Sequence, residues 1–186
     1  MFEELTKLVE RFGQNTVVNN QEVPNEHNEA VLNETSTSIL SGLQGILAAG
    51  GVKQLAGLFD GNNAQDTSNP VVQQLTQRLS GNLGQKFGLN GTTASNVAGG
   101  LIPQVLSSLI GNAKDPNYKG FGVSDLVTAI SGGNGNSGLM NAISKYGGQF
   151  GLDQNADGQV NVQDAIHAVS NKSGGILGLI KKLMGR

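Results

Sequence analysis

The sequence predicts an all-α protein: a single compact multi-helix domain that ends in a helix–loop–helix of the calcium-binding kind. Three observations carry this. Apolar residues recur at three- and four-residue spacing through most of the 186 residues. No window sustains the period-two alternation of a half-buried strand. Between Asp153 and Asp164, oxygen-bearing side chains fall at alternate positions, as a hard cation requires of a tight loop.

Composition narrows the class. Hydrophobic residues make up 37% and aromatics 4%, with no Trp, so the core must be built from Leu, Ile, Val and Ala. Charged residues are 14% and the net charge is −2, which argues against a general nucleic-acid binder. The 28 glycines follow no collagen-like period. With no cysteine, disulfides and thiolate metal sites are excluded. The first residues form an amphipathic pattern without a basic leader and apolar run, and no stretch is apolar enough to span a bilayer. The expected address is therefore the cytoplasm.

The elements follow in order. Phe2, Leu5, Leu8, Val9 and Phe12 share one helical face, and Gly13 is expected to stop that helix. After a polar connector, Asn25 is a good N-cap, with Glu26 and Glu29 placed where the helix dipole favours them. Val31, Ile39, Leu43, Ile46 and Leu47 form the second stripe, closed by Gly50-Gly51. Val52, Leu55, Leu58 and Phe59 form a short third helix before the polar loop 60–69. Asn69-Pro70 reads as an N-cap followed by proline at the first helical position, and Val72, Leu75, Leu79 and Leu83 carry that helix to Phe87-Gly88.

A fifth helix starts near Thr92 and holds Val97, Leu101, Val105, Leu106 and Leu109. Pro103 deletes one backbone donor within it, after the Gly99-Gly100 pair, so a kink or break is expected there. Residues 115–125 share Asp, Asn and Gly offsets with the calcium loop, but Lys119 and Leu126 occupy ligand positions, so the segment reads as a turn. Ser124-Asp125 opens a sixth helix and Gly132 to Gly135 form a loop. Leu139, Met140, Ile143 and Tyr146 mark a seventh helix that enters the calcium loop, and Val162 to Val169 leaves it. A last short helix covers Ile176 to Met184.

The loop itself is the one specific chemical signal. Asp153, Asn155, Asp157, Asn161 and Asp164 stand at positions one, three, five, nine and twelve, and Gln159 at seven offers its backbone carbonyl. Gly158 sits at the sharp turn, and Val160 is the apolar residue that faces back into the protein. Asp164 replaces the longer Glu that usually closes such a loop with both oxygens. In this respect the segment resembles the dockerin variant of the EF-hand. The competing reading is an ordinary Asx-rich polar turn.

A second resemblance rests on Val-Pro-Asn-Glu-His-Asn-Glu-Ala-Val (23–31), on Gly-Gly-Leu-Ile-Pro-Gln-Val-Leu-Ser-Ser-Leu (99–109) and on the Gly-Gly-flanked Leu and Ile clusters. These resemble the YidB-like family of small bacterial helical proteins of unknown function, over roughly residues 1–145. The resemblance implies an all-α bacterial protein and no activity. It does not extend to the calcium loop.

Other candidates weigh less. His27 and His167 have no partner at metal-ligand spacing and read as surface residues. Thr35-Ser36-Thr37-Ser38 and Ser107-Ser108 lack a nucleophile context and suit a small-residue helix face that permits close packing. Gly42 to Gly51 follow no strand and carry no Walker lysine, which argues against a phosphate cradle. Glu3, Glu4 and Glu10 could pair, as carboxylates on any exposed helix can. From Ser173 to Arg186 there is no carboxylate, and Ile176, Leu177, Ile180, Lys181, Lys182 and Leu183 suit a basic amphipathic helix. Such a helix could dock on an anionic membrane or a protein partner, or pack on its own core.

The expected organisation is a helical domain over residues 1–135, an EF-hand-like segment over 136–171 and the basic helix over 172–186. The expected function is non-enzymatic and calcium-binding, in interaction or structure, with Ca2+ as the bound ion. The alternative is a membrane-peripheral or envelope-associated protein in which calcium is purely structural.

Overall fold

The computed structural model describes residues 1–147, without the side chains of the last two. Among the described residues there are seven α-helices and no strand. They are α1 (Phe2–Gly13), α2 (Asn28–Ala48), α3 (Val52–Gly57), α4 (Pro70–Phe87), α5 (Gly91–Lys114), α6 (Val123–Ile130) and α7 (Ser137–Gly147). None of them is long and apolar enough to cross a membrane.

Helix α5 occupies the centre because its sequence is apolar on more than one face. Val97, Ala98, Leu101, Ile102, Val105 and Leu106 are fully buried. Helices α4 and α1 pack against it, and α2 packs in turn on α1 and α4. The stripes expected of α2 and α4 are the buried ones, Val31, Ile39, Leu43 and Ile46 on the former with Leu47 only partly buried, and Val72, Leu75, Leu79 and Leu83 on the latter. The enclosed apolar gap beside Leu43, Leu55, Leu106 and Leu126 measures only about 10 Å³, at the lower limit for one water.

Local chemistry places several termini. Asn69 Oδ1 accepts from the Val71 N–H at 2.9 Å, Pro70 takes the first helical position, and Gly88 closes α4 with a left-handed φ of 66°. Asn90 Oδ1 accepts from the Thr93 N–H at 2.9 Å and starts α5. Asp125 Oδ2 accepts from the Gly122 N–H at 2.9 Å at the start of α6. Asp115 does the same for Asn117 at 2.8 Å, so residues 115–118 form an Asx turn, as their sequence suggests.

Two expectations are corrected, and a third is narrowed. Gly13 does not stop the first helix, which continues through one π-helical turn, Gln14–Val18. Its role is approach: a Cβ on Gly13 would collide with Leu32 Cδ2 of α2. Asn25 does not cap α2. It opens a 3-10 turn, Asn25–His27, and His27 stands at the N-cap position without a side-chain bond. Of the kink or break expected at Pro103, the break does not occur: Pro103 lies buried inside one continuous helix.

Candidate metal centre

The oxygen ligands Asp153, Asn155, Asp157, Gln159, Asn161 and Asp164 lie outside the described residues. So do His167 and the docking set Ile176, Leu177, Ile180, Lys181, Lys182 and Leu183. What the fold does place is α7, the helix that precedes the loop. Asn136 Oδ1 accepts from the Leu139 N–H at 2.8 Å and its carbonyl accepts from the Met140 N–H at 2.9 Å, which fixes where α7 begins. Leu139 and Ile143 are buried at 0% and 1% exposure, and the helix packs chiefly on α3. The expected apolar stripe of this helix thus anchors it to the body ten residues before Asp153.

Beside α7 lies an open groove of about 590 Å³, lined by Gly50, Gly51, Val52, Lys53, Ala142 and Lys145 among others. Among the described residues, two lysines and no carboxylate line it, a poor setting for a cation. Among the described residues, no group of three or more His, Asp or Glu side chains is placed to hold a metal ion.

Several carboxylates of the body are instead engaged one by one. Glu4 accepts from Lys7 Nζ and from the Tyr118 hydroxyl, both at 2.7 Å. These bonds, that from Lys7 foremost, hold the Glu4 carboxyl below its usual value, and the bond to Glu4 pushes the Tyr118 hydroxyl up. Glu22 accepts from the Thr93 hydroxyl at 2.7 Å.

A polar seam between α2 and α4 is the feature sequence reasoning missed. Glu34 accepts from Lys86 Nζ at 2.6 Å, Asn82 Nδ2 at 2.8 Å and Ser38 Oγ at 3.0 Å. Arg78 reaches Ser41 at 3.3 Å one turn further along. Burial works against the Glu34 charge, but the bonds from Lys86, Ser38 and Asn82 prevail and keep its carboxyl below the ordinary value. A signal was present: Glu34 and Ser38, like Asn82 and Lys86, stand four apart on one helix face. Both Glu34 carboxylate oxygens are satisfied within the fold, so the seam fixes helix register and offers no open carboxylate.

Next to it, Thr35, Ser36 and Ser38 are buried, as the small-residue reading of this stretch expects. Thr35 Oγ1 donates to the Val31 carbonyl at 2.8 Å. His27 is half-buried rather than a free surface residue, with its ring tilted against Phe87 at 5.7 Å between centroids. No family model, curated protein or solved structure matches the chain.

Proposed function

We propose that this is a calcium-binding, non-enzymatic helical protein of bacterial type, in which a packed helical body carries an EF-hand-like site of the dockerin variant. The observation that carries the reading is the spacing of Asp153, Asn155, Asp157, Asn161 and Asp164 around Gly158. Three carboxylates, two amide oxygens and the Gln159 carbonyl give six oxygens, the lower bound of what calcium takes, with water to complete the shell. Helix α7 supports the reading, since a helix anchored to the body precedes the loop as the motif requires.

Few charges and a short closing Asp164 place the affinity on the order of 10⁻⁵ to 10⁻³ M, the weak end of such sites. Calorimetric titration tests this: wild type gives a one-site calcium isotherm in that range, and Asp153→Ala and Asp157→Ala abolish it. Absence of heat at millimolar calcium contradicts it.

A second reading rests on the carboxylate-free stretch from Ser173 to Arg186. There the protein sits at a membrane surface or on a partner through Ile176, Leu177, Ile180 and Leu183, flanked by Lys181 and Lys182, with calcium purely structural. Sedimentation with anionic vesicles, with and without residues 173–186, separates the two. The YidB-like texture of residues 1–145 fits either reading and adds a bacterial origin to both.

A further inference from the structure

The dipeptide most prone to deamidation, Asn-Gly, occurs twice in the chain, at Asn90-Gly91 and Asn134-Gly135. Glycine permits the reaction because it puts no Cβ in the way of the nitrogen that must swing toward the asparagine side chain. The two copies meet opposite surroundings. Asn90 is locked: its Oδ1 accepts from the Thr93 N–H at 2.9 Å, its carbonyl accepts from the Ala94 N–H at 2.9 Å, and its ψ of 154° turns the Gly91 nitrogen away from Cγ. Asn134 and Gly135 are both exposed. Among the described residues, no hydrogen bond holds the Asn134 side chain or the Gly135 N–H. Gly132, Gly133 and Gly135 all have positive φ, at 70°, 94° and 67°. The free pair lies between two fixed ends: Gly132 and Gly133 donate back to Ala129 and Thr128, and Asn136 caps α7.

We propose that Asn134-Gly135 is a site of spontaneous, non-enzymatic modification, and that the cap on α5 protects the identical pair at Asn90-Gly91. In the reaction the Gly135 backbone nitrogen, having lost its proton to base, attacks Asn134 Cγ. The N–Cγ bond forms, the Cγ–Nδ2 bond breaks, and the side-chain nitrogen takes up a proton and leaves as ammonia. Water then opens the cyclic imide at either carbonyl, which yields aspartate or isoaspartate. No oxidant or reductant is required. The product adds one negative charge to a chain of net charge −2, two residues ahead of the Asn136 cap. A carboxylate there is on the side of α7 that its dipole favours, so aging marks the loop without opposing the helix.

The test is incubation of the full chain at mildly alkaline pH, followed by peptide mass analysis and isoaspartyl quantitation at both sites. Release of an N-cap of this kind is disfavoured by a factor of roughly five to thirty. Conversion at Asn134 in the folded protein therefore runs faster than at Asn90 by about that factor, and the two rates converge when the same chain is held in denaturant. Asn134→Gln, whose longer side chain cannot close the same ring, removes the early acidic species. Equal rates at the two sites in the folded protein overturn the proposal. So does persistence of the acidic species at an undiminished rate in Asn134→Gln.

Discussion

The helical body up to α7 and the loop Asp153–Asp164 are built from opposite kinds of residue. Val97, Ala98, Leu101, Ile102, Val105 and Leu106 at the centre of α5 are apolar and buried, and the body is held by area removed from water. The twelve loop residues include only Ala156, Val160 and Val162 as apolar side chains. Burial on that scale does not offset the entropy of ordering a chain, whereas six converging oxygens around a cation can. If the loop binds calcium as proposed, sensitivity to packing and sensitivity to calcium belong to different parts of one molecule and should separate in experiment.

The largest effect that sharpens the contrast is a cavity in the body. Leu101→Ala, at a side chain with no exposure, is expected to cost about 2–5 kcal/mol in denaturant unfolding. The loss should be the same in calcium and in chelator, since distant sites add. A loss that calcium rescues would break the separation.

Helix approach comes next. A Cβ on Gly42 would collide with Leu75 Cδ2, itself 1% exposed, so Gly42→Ala should destabilise by about 1–3 kcal/mol. Three residues on, Gly45 is exposed and meets nothing within 4 Å. Gly45→Ala should gain roughly 0.5–1 kcal/mol from helix propensity alone. Thermal melts of the two variants side by side check the sign of each.

The polar seam gives a smaller, pH-dependent effect. The folded state lowers the Glu34 carboxyl below its ordinary 4.5, so the seam's contribution is complete above that value and fades as pH falls through the lower folded value. Lys86 is 54% exposed, which limits the share at stake to about 1 kcal/mol. Wild type should lose that amount on acidification, and Glu34→Gln should lack this part of the acid dependence. Identical acid profiles would show the pair to be idle.

The body was legible because its helices carry their own periodicity and caps. Asn69-Pro70 with Gly88 bounded α4 from local chemistry alone. What escaped reading depended on partners remote in sequence. Gly13 looks like a stop signal until Leu32 of another helix lies against it, and Pro103 looks like a breaker until its neighbours Leu101, Ile102, Val105 and Leu106 are seen to be buried. Glu34 carries no signal of its own in the sequence, because its partners Asn82 and Lys86 come from α4. The loop shows the reverse. The chemistry proposed for it rests on twelve consecutive residues alone, because a cation site needs oxygen spacing more than it needs tertiary neighbours.

The measurement that tests the central claim most directly is a thermal melt of the full chain in calcium, in magnesium and in chelator. Binding to the folded form alone adds RT ln(1 + [Ca]/Kd), roughly 2.7 kcal/mol at a hundredfold excess over Kd. Calcium should therefore raise the melting temperature, magnesium should do so poorly because it demands a tighter octahedron, and Asp153→Ala with Asp157→Ala should melt alike in all three. A wild-type melt that is the same in calcium as in chelator would contradict the account.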